Sequence, residues 1–552
     1  MDSFYPTELR KQFTNRQYEL KLFEQAKERL QKGLAFNLSI FGQRRIGKTL
    51  LMKEFILRHR KLKDFIPVYI NCQTICTNPE DFAASYVGWV CYWFLTRGEE
   101  TPEPFLSLPS LMRITQEHPL IRERLFDISD QLNQRSINRS LLLRLAFSFP
   151  EELGKETNTH LMLFLDEFQE VTRLMKYKNA ENLLGIFREF IQTSHTGYVL
   201  AGSWVSVMVD LISDAKSPLF GQFTQHQLGT FTREDTDRLA QKILGPLSQD
   251  VLWAIYQYTF GHPYYVTHLT QRLSLLHRIN ELPISSDLVK SAFLIETLSN
   301  RGAINYHCDY LYTLSLEKAR YYSGLKSVLS ILASEEGFTQ TEIARKMKVN
   351  QGMVRVYLNT LVKLDLLMEQ EKRYYYRDPV LRYWVAYHEQ GVELSEMPKK
   401  EDLEALLAKL DEKFQRTASE LGVTKESEIR LLIPKMAGKT FEGILFGTSQ
   451  TITMPNFKNI ESYKSPDKQI EIDALCQNED IWFVEIKWKN RAATIKDVQK
   501  FNEKSQKVGI KSERLWFISK SGFSENATQY AKEHGILLSN ASDLEAIKAA
   551  LK

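Results

Sequence analysis

The pattern of apolar and polar positions divides this chain into stretches of different period. A helical period ends at Leu30, and four short runs that are apolar at nearly every position follow: 37–41, 65–71, 160–166 and 197–203. A strand apolar on both faces belongs inside a parallel sheet covered by helices. Helical periods fill the gaps, from Leu50 to Leu57 and again up to about Leu153. Leu228–Phe231 predicts a last strand, and Arg233–Asn300 reads as helical with an interruption at Phe260–Tyr265. Leu325–Leu332, Thr339–Met347 and Asn350–Lys363 then read as three helices, the second opened by a capping box of Thr339 and Glu342. Leu366–Glu369 and Arg373–Arg377 follow as a hairpin. From Glu393 to Lys413 charges alternate with leucines, the mark of a solvated linking helix. Beyond it the period becomes two. Ile470, Ile472 and Ala474 are expected on one face of a strand, Glu471 and Asp473 on the other. A hairpin at Gln477–Asp480 leads to Ile481–Trp488, where Val484, Ile486 and Trp488 lie opposite Glu485 and Lys487.

At 552 residues the chain exceeds a single core. The changes of period divide it into an α/β core (1–232), a helical segment (233–305), a helix-and-hairpin module (306–392), a linker (393–424) and a second α/β domain (425–552). A net charge of +4 confines any nucleic-acid surface to a local patch. Five scattered cysteines without a C-x-x-C spacing predict reduced thiols rather than a disulfide framework or structural zinc. The longest apolar run, Phe82–Leu95, is too short to span a bilayer and predicts a buried helix. Met1–Pro6 lacks the basic and apolar regions of a signal peptide, so a cytoplasmic protein without membrane contact is expected.

Candidate chemistry sits at the ends of the apolar runs. Gly42-Gln43-Arg44-Arg45-Ile46-Gly47-Lys48-Thr49, followed by Leu50, fits G-x-x-x-x-G-K-[ST] between a strand and a helix. The glycines let backbone N–H groups turn toward phosphate oxygens, and the next helix adds its positive end. Lys48 is expected on the β- and γ-phosphates of ATP, and Thr49 on Mg²⁺. Asp166 and Glu167 end the third apolar run. Asp166 would hold Mg²⁺, and Glu167 would orient and deprotonate the attacking water. Ser203 ends the fourth run, as a γ-phosphate sensor or as a plain turn. Thr14 or Asn15 is expected to cap the helix ending at Leu30.

Together, Asn15-Arg16-x-x-Glu19-Leu20, the loop 42–49, Leu165-Asp-Glu-Phe168, Gly202-Ser203 and Gly261-His-Pro263 resemble the archaeal-type ATPases of the STAND/AAA+ group, over roughly residues 10–390. The resemblance implies a three-layer P-loop ATPase core, an all-α lid carrying Pro263 near the nucleotide, Arg16 near the base, and a winged helix-turn-helix. Asp378-Pro-Val-Leu-Arg-Tyr-Trp384 resembles a signature of the same ATPases. Arg44, Arg45 and Arg188 stand as candidates for an arginine finger, which leaves a homo-oligomer open. On the winged helix, Asn350, Gln351 and Arg355 would face the DNA major groove, with Lys346, Lys348 and Arg373 near phosphates. A protein-docking role for the module is the other reading.

In the last domain, Asp473, Glu485 and Lys487 are expected on one side of adjacent strands. Convergent carboxylates hold a divalent cation, and a neighbouring lysine positions water or stabilises charge on phosphorus. Asp473 with Glu485-Ile-Lys487 resembles the PD-(D/E)xK, restriction-endonuclease-like nucleases over about residues 425–545, with Ile472 where that family places proline. The resemblance implies Glu442, on a predicted helix, as a further acidic ligand and Gln499 as an auxiliary residue. Two functions follow from this organisation. One is an ATP-hydrolysing switch controlling a Mg²⁺-dependent DNA nuclease on the same chain. The other is an ATP-gated DNA- or partner-binding regulator whose nuclease-like domain does not cut.

Overall fold

The computed structural model describes residues 4–34, 36–203, 205–280, 283–317, 321–335, 337–370, 372–388, 423–457, 459–465, 470–478, 480–488 and 492–551. It divides into two compact units, Met1–Met397 and Pro398–Lys552. The predicted linking helix over Glu393–Lys413 lies outside the described residues.

In the first unit, β1 (Leu38–Phe41), β2 (Phe65–Asn71), β3 (His160–Asp166), β4 (Thr196–Gly202) and β5 (Thr224–Gln227) form one parallel sheet in the order β2-β3-β4-β1-β5. The four apolar runs are its inner strands and one flank. The last strand is not Leu228–Phe231, which follows it as a loop, but the four residues before. Thr-Gln-His-Gln pairs only with β1, at an edge where side chains meet water, so no apolar signal marks it. Helices α1 (Gln17–Leu30), α2 (Lys48–His59), α3 (Pro79–Thr96) and α4 (Arg139–Thr157) pack on the sheet. The long apolar run is α3, which buries Phe82, Tyr86, Val90 and Trp93 in the core. The cap of α1 is Arg16, in the left-handed region at φ +65°, rather than Thr14 or Asn15. The Thr14 hydroxyl donates to the Gln12 carbonyl (2.8 Å), and the Asn15 amide donates to Asp235 while its Oδ1 accepts the Gln17 N–H at 3.5 Å.

Four helices follow: α5 (Arg233–Leu244), α6 (Gln249–Thr259), α7 (Pro263–Asn280) and α8 (Ser286–Leu298). The break between α6 and α7 is enforced at Gly261. Its φ is +70°, and a Cβ there would stand 2.2 Å from the Phe231 carbonyl oxygen. Next come α9 (Ala303–Glu317) and α10 (Tyr322–Ser334), then β6 (Phe338–Thr339), α11 (Gln340–Met347), α12 (Gln351–Lys363), β7 (Leu367–Gln370) and β8 (Arg373–Tyr376). The capping box at Thr339 and Glu342 forms, and the three strands make an antiparallel sheet in the order β6-β8-β7. Helix α13 (Pro379–His388) is the last described element of the unit, with Tyr383 and Trp384 buried.

In the second unit, α14 (Val423–Met436) leads to the short strands β9 (Thr440–Phe441) and β10 (Ile452–Thr453). The predicted helix around Glu442 is absent. Glu442 precedes a 3-10 turn, Gly443–Phe446, because a hairpin between β9 and β10 needs its chain there. A five-stranded sheet then runs β11 (Asn459–Lys464), β12 (Glu471–Gln477), β13 (Ile481–Lys487), β14 (Arg514–Ser519) and β15 (Leu537–Asn540) in spatial order. The first three strands pair antiparallel and the last two parallel. One face packs α14 and α17 (Ala541–Leu551), the other α15 (Ile495–Lys507) and α16 (Glu525–Glu533).

The alternation expected along β12 fails at one place. Ile472 lies in the core beneath α15 and α16, whereas Ala474 and Cys476 lie in the opposite core. Ile472 pairs with Tyr463 and Leu475 with Glu461, so Asp473 and Ala474 of β12 together oppose a single residue of β11. This is a β-bulge at Asp473–Ala474, and one extra residue exchanges the faces of everything beyond it.

Candidate active sites

The parallel sheet brings three carboxyl-terminal strand ends to one crevice, where ligands of such sheets bind. β4 lies between β1 and β3, so the loop after β1 faces Asp166 across Gly202. Gly42 is pinned there, since a Cβ would meet the Leu228 carbonyl oxygen at 2.5 Å. Lys48 begins α2 and folds back on its own loop, its Nζ donating to the carbonyls of Gly42 (2.8 Å) and Gln43 (2.9 Å). It is 5% exposed, and burial pushes its pKa down to about 8 against the pull of Glu167 and Asp166. Thr49 Oγ1 donates to Asp166 Oδ2 (2.6 Å), and the Tyr69 hydroxyl donates to the same oxygen (2.8 Å). Burial raises the pKa of Asp166. Glu167, in the left-handed region at φ +51°, accepts from Ser203 Oγ (2.7 Å) and from the Gln169 amide.

A small cavity against the loop is lined by Arg16, Ile46, Gly47, Leu50, Phe231 and Pro263, among others. Arg16 lies over the Phe231 ring (4.6 Å) and donates to the Gly229 carbonyl (2.9 Å). Arg44 and Arg45 are each laid on an aromatic ring of a following helix, Tyr310 at 4.8 Å and Tyr264 at 4.3 Å. Arg188 is exposed at the end of a short helix. A desolvated lysine, two further cations, a mostly apolar cavity and a hydroxyl–carboxylate pair fit a nucleotide with its metal ion. Tyr69 and Gln169 were not singled out by sequence; their only signal is that they sit at or just past strand ends.

In the second unit the bulge re-aims Asp473. It lies just before the Ala474–Val484 pair, and its carboxylate accepts the Ile486 N–H (2.6 Å). Arg430 of α14 donates to its carbonyl oxygen. Glu485 shares the α15 face and is pushed up to about 7, first by burial and then by the Asp473 charge, with Lys504 opposing. Lys504 Nζ donates to Glu485 Oε1 (2.6 Å), while Oε2 is buried with no partner. Lys487 pairs with Asp497. Burial alone would raise Asp497, but Lys487 and the N–H and hydroxyl of Thr494 hold it down at about 2. Two adjoining carboxylates with one unused buried oxygen fit a divalent cation. Among the described residues no group of three or more acidic, histidine or cysteine side chains gathers, and Glu442 is exposed at its turn. Gln499 is half-buried on α15. Lys504 and Asp497 escape detection in the sequence because they lie on a helix whose charges read as a solvated face.

Residues 13–269 match the family model described as an ATPase domain predominantly from Archaea, and residues 433–547 match the model described as a restriction endonuclease. The chain joins an archaeal-type ATPase domain to a restriction-endonuclease domain. No curated protein matches it. Similar solved structures include the Walker-type ATPase paby2304 of Pyrococcus abyssi, at 17% identity and a TM-score of 0.45 over 69% of this chain and 97% of that one. The ORC2 protein of Aeropyrum pernix, in ADPNP–ADP complexes, is 15% identical with a TM-score of 0.41, over 68% and 94%. The RuvB Holliday junction branch migration motor of Thermotoga maritima is 13% identical with a TM-score of 0.33, over 69% and 96%. The ATPase-domain match takes in the loop 42–49, Asp166, Glu167, Ser203 and Pro263, and the endonuclease-domain match takes in Glu442, Asp473, Glu485 and Lys487. The five cysteines are free and buried. No helix of the described residues is long and apolar enough to cross a membrane.

Proposed function

We propose that this protein is an ATP-hydrolysing switch that controls a Mg²⁺-dependent DNA nuclease on the same chain. The observation that carries the switch is the Gln43 amide donating to the Arg377 carbonyl (3.1 Å), which ties the phosphate loop to the end of β8. What happens at the loop is therefore felt at the far end of the helix-and-hairpin module. Lys48 and the loop N–H groups bind phosphate oxygens, Thr49 and Asp166 hold the metal, and Glu167 takes the proton of the attacking water while Ser203 fixes its carboxylate. Arg16 and Pro263 enclose the base. Mg²⁺, when bound, neutralises phosphate charge and lowers the pKa of bound water. In the endonuclease domain, Asp473 and Glu485 hold the metal, and Lys487 stabilises charge on the phosphate.

Elements α10 to β8 have the order of a winged helix, and we assign them DNA contact through exposed Gln351 and Arg355. Asn350 instead serves its own helix, its side chain capping α12 by accepting the Met353 N–H (2.8 Å). Arg373 is held by the Gly337 carbonyl and by Glu342. A plasmid digest with Mg²⁺, with and without ATP, tests the reading. Nicking by wild type, lost in Asp473→Ala and no longer ATP-responsive in Lys48→Ala, is expected. Equal nicking by Asp473→Ala would refute the nuclease assignment. A second reading, DNA retention without cutting, is favoured by the Lys487–Asp497 pair, which occupies the lysine. It predicts ATP-dependent retention indifferent to Glu485→Ala and Lys487→Ala.

A further inference from the structure

A second cavity lies against the phosphate loop. Gln43, Arg44, Ser203, His262, Asp365 and Asp378 all line it, and its volume is about 120 Å³. Asp365 stands in the turn between α12 and β7, at φ +58°. Arg377 leaves β8 and closes that turn, its N–H donating to the Leu366 carbonyl (3.0 Å) and its Nη2 lying 3.7 Å from Asp365 Oδ1. The guanidinium is only partly used, for its Nε is buried with no partner. The Asp365 charge reaches Lys48, where it favours the ammonium. One carboxylate thus serves both a phosphate-loop lysine and an arginine from the C-terminal part of the same unit. The other loop cations, Arg44 and Arg45, are already laid on rings.

We propose that Arg377 is the residue that reads the γ-phosphate of ATP, acting within its own chain, and that Asp365 stands in for that phosphate when it is absent. The proposal rests on the reading of residues 42–49 as an ATP site. A further phosphate brings negative charge into a crevice that already holds the Asp365 carboxylate. Like charges repel and the arginine is offered a second, stronger acceptor. ADP offers none. Exchange of partners by Arg377 loosens the turn between α12 and β7, and so passes nucleotide state to the helix-and-hairpin module.

The test is the ratio of affinities for a non-hydrolysable ATP analogue and for ADP, titrated calorimetrically on the full-length chain with Mg²⁺. Arg377→Ala should weaken the analogue roughly tenfold, the size of one charge-assisted contact, and leave ADP unchanged. Arg377→Lys should recover part of the loss, because a point charge replaces the fork. Asp365→Asn should shift the ratio the other way. An equal loss for both nucleotides, or an unmoved ratio, overturns the inference. If Arg377→Ala shows no cooperative melt, the Asp365→Asn ratio decides alone. A wild type that binds neither nucleotide would remove the ATP-site reading itself; one that binds both with an unmoved ratio in the variants removes only the role of Arg377.

Discussion

Replacing Glu485 by glutamine should make the endonuclease domain more stable, and only at neutral and alkaline pH. An acid raised from near 4.5 to about 7 keeps its proton in the folded state where the unfolded chain has already lost it. The folded state then binds more protons, so stability falls as pH rises from about 4.5 to about 7 and stays low above that. At about 1.4 kcal/mol per unit, the ceiling of this cost is about 3 kcal/mol. Glutamine carries no charge to desolvate but leaves Lys504 with a weaker partner, so a gain of roughly 1–3 kcal/mol is expected above pH 7. At pH 4 the wild-type carboxyl is neutral in both states and the variant should gain nothing. Hydrogen exchange of the β12 and β13 amides in the full-length chain, in EDTA, reads the local stability. Variant and wild type are compared at the same pH, so intrinsic exchange rates cancel. Equal protection at pH 8, or a gain of the same size at pH 4, would refute the argument. Divalent cations added at pH 8 should raise protection in wild type and not in the variant.

Lys48→Ala removes a buried ammonium and should weaken nucleotide binding by roughly 100-fold, checked by calorimetry. Asp166→Ala takes away the acceptor of both Thr49 and Tyr69; phosphate release should drop by about 100-fold or more while ADP still binds, and unchanged turnover would remove Asp166 from the metal site. Gly261→Ala forces a Cβ onto the Phe231 carbonyl in a left-handed backbone and should cost about 2–4 kcal/mol, seen as a lower melting temperature.

Much of the ATPase domain was legible because its chemistry is carried by local patterns. A Gly-rich turn between a strand and a helix needs nothing distant to be recognised, and β3 declares itself by six mostly apolar residues followed by Asp166 and Glu167. The edge strand β5 was missed because its four polar residues bury almost nothing. In the endonuclease domain Asp473, Glu485 and Lys487 were found by period, yet the period itself was wrong at Ile472. A bulge depends on the partner strand, and a single strand's sequence does not contain that register. Long-range partners such as Asp365 with Arg377, or Lys504 with Glu485, are set by packing between elements and leave no local trace.

The extra residue in β12 has a consequence for how this protein could change. Asp473 belongs to neither hydrophobic layer, so a substitution there opens no hole in either, although it removes the carboxylate that accepts the Ile486 N–H. Deleting one residue at the same point would restore a regular ladder and leave Ile472, Leu475 and Cys476 on the faces they already occupy. The acid can therefore be edited or excised without exchanging the two layers. A descendant of this sequence that lost Asp473 in a single step would keep both hydrophobic layers of the domain.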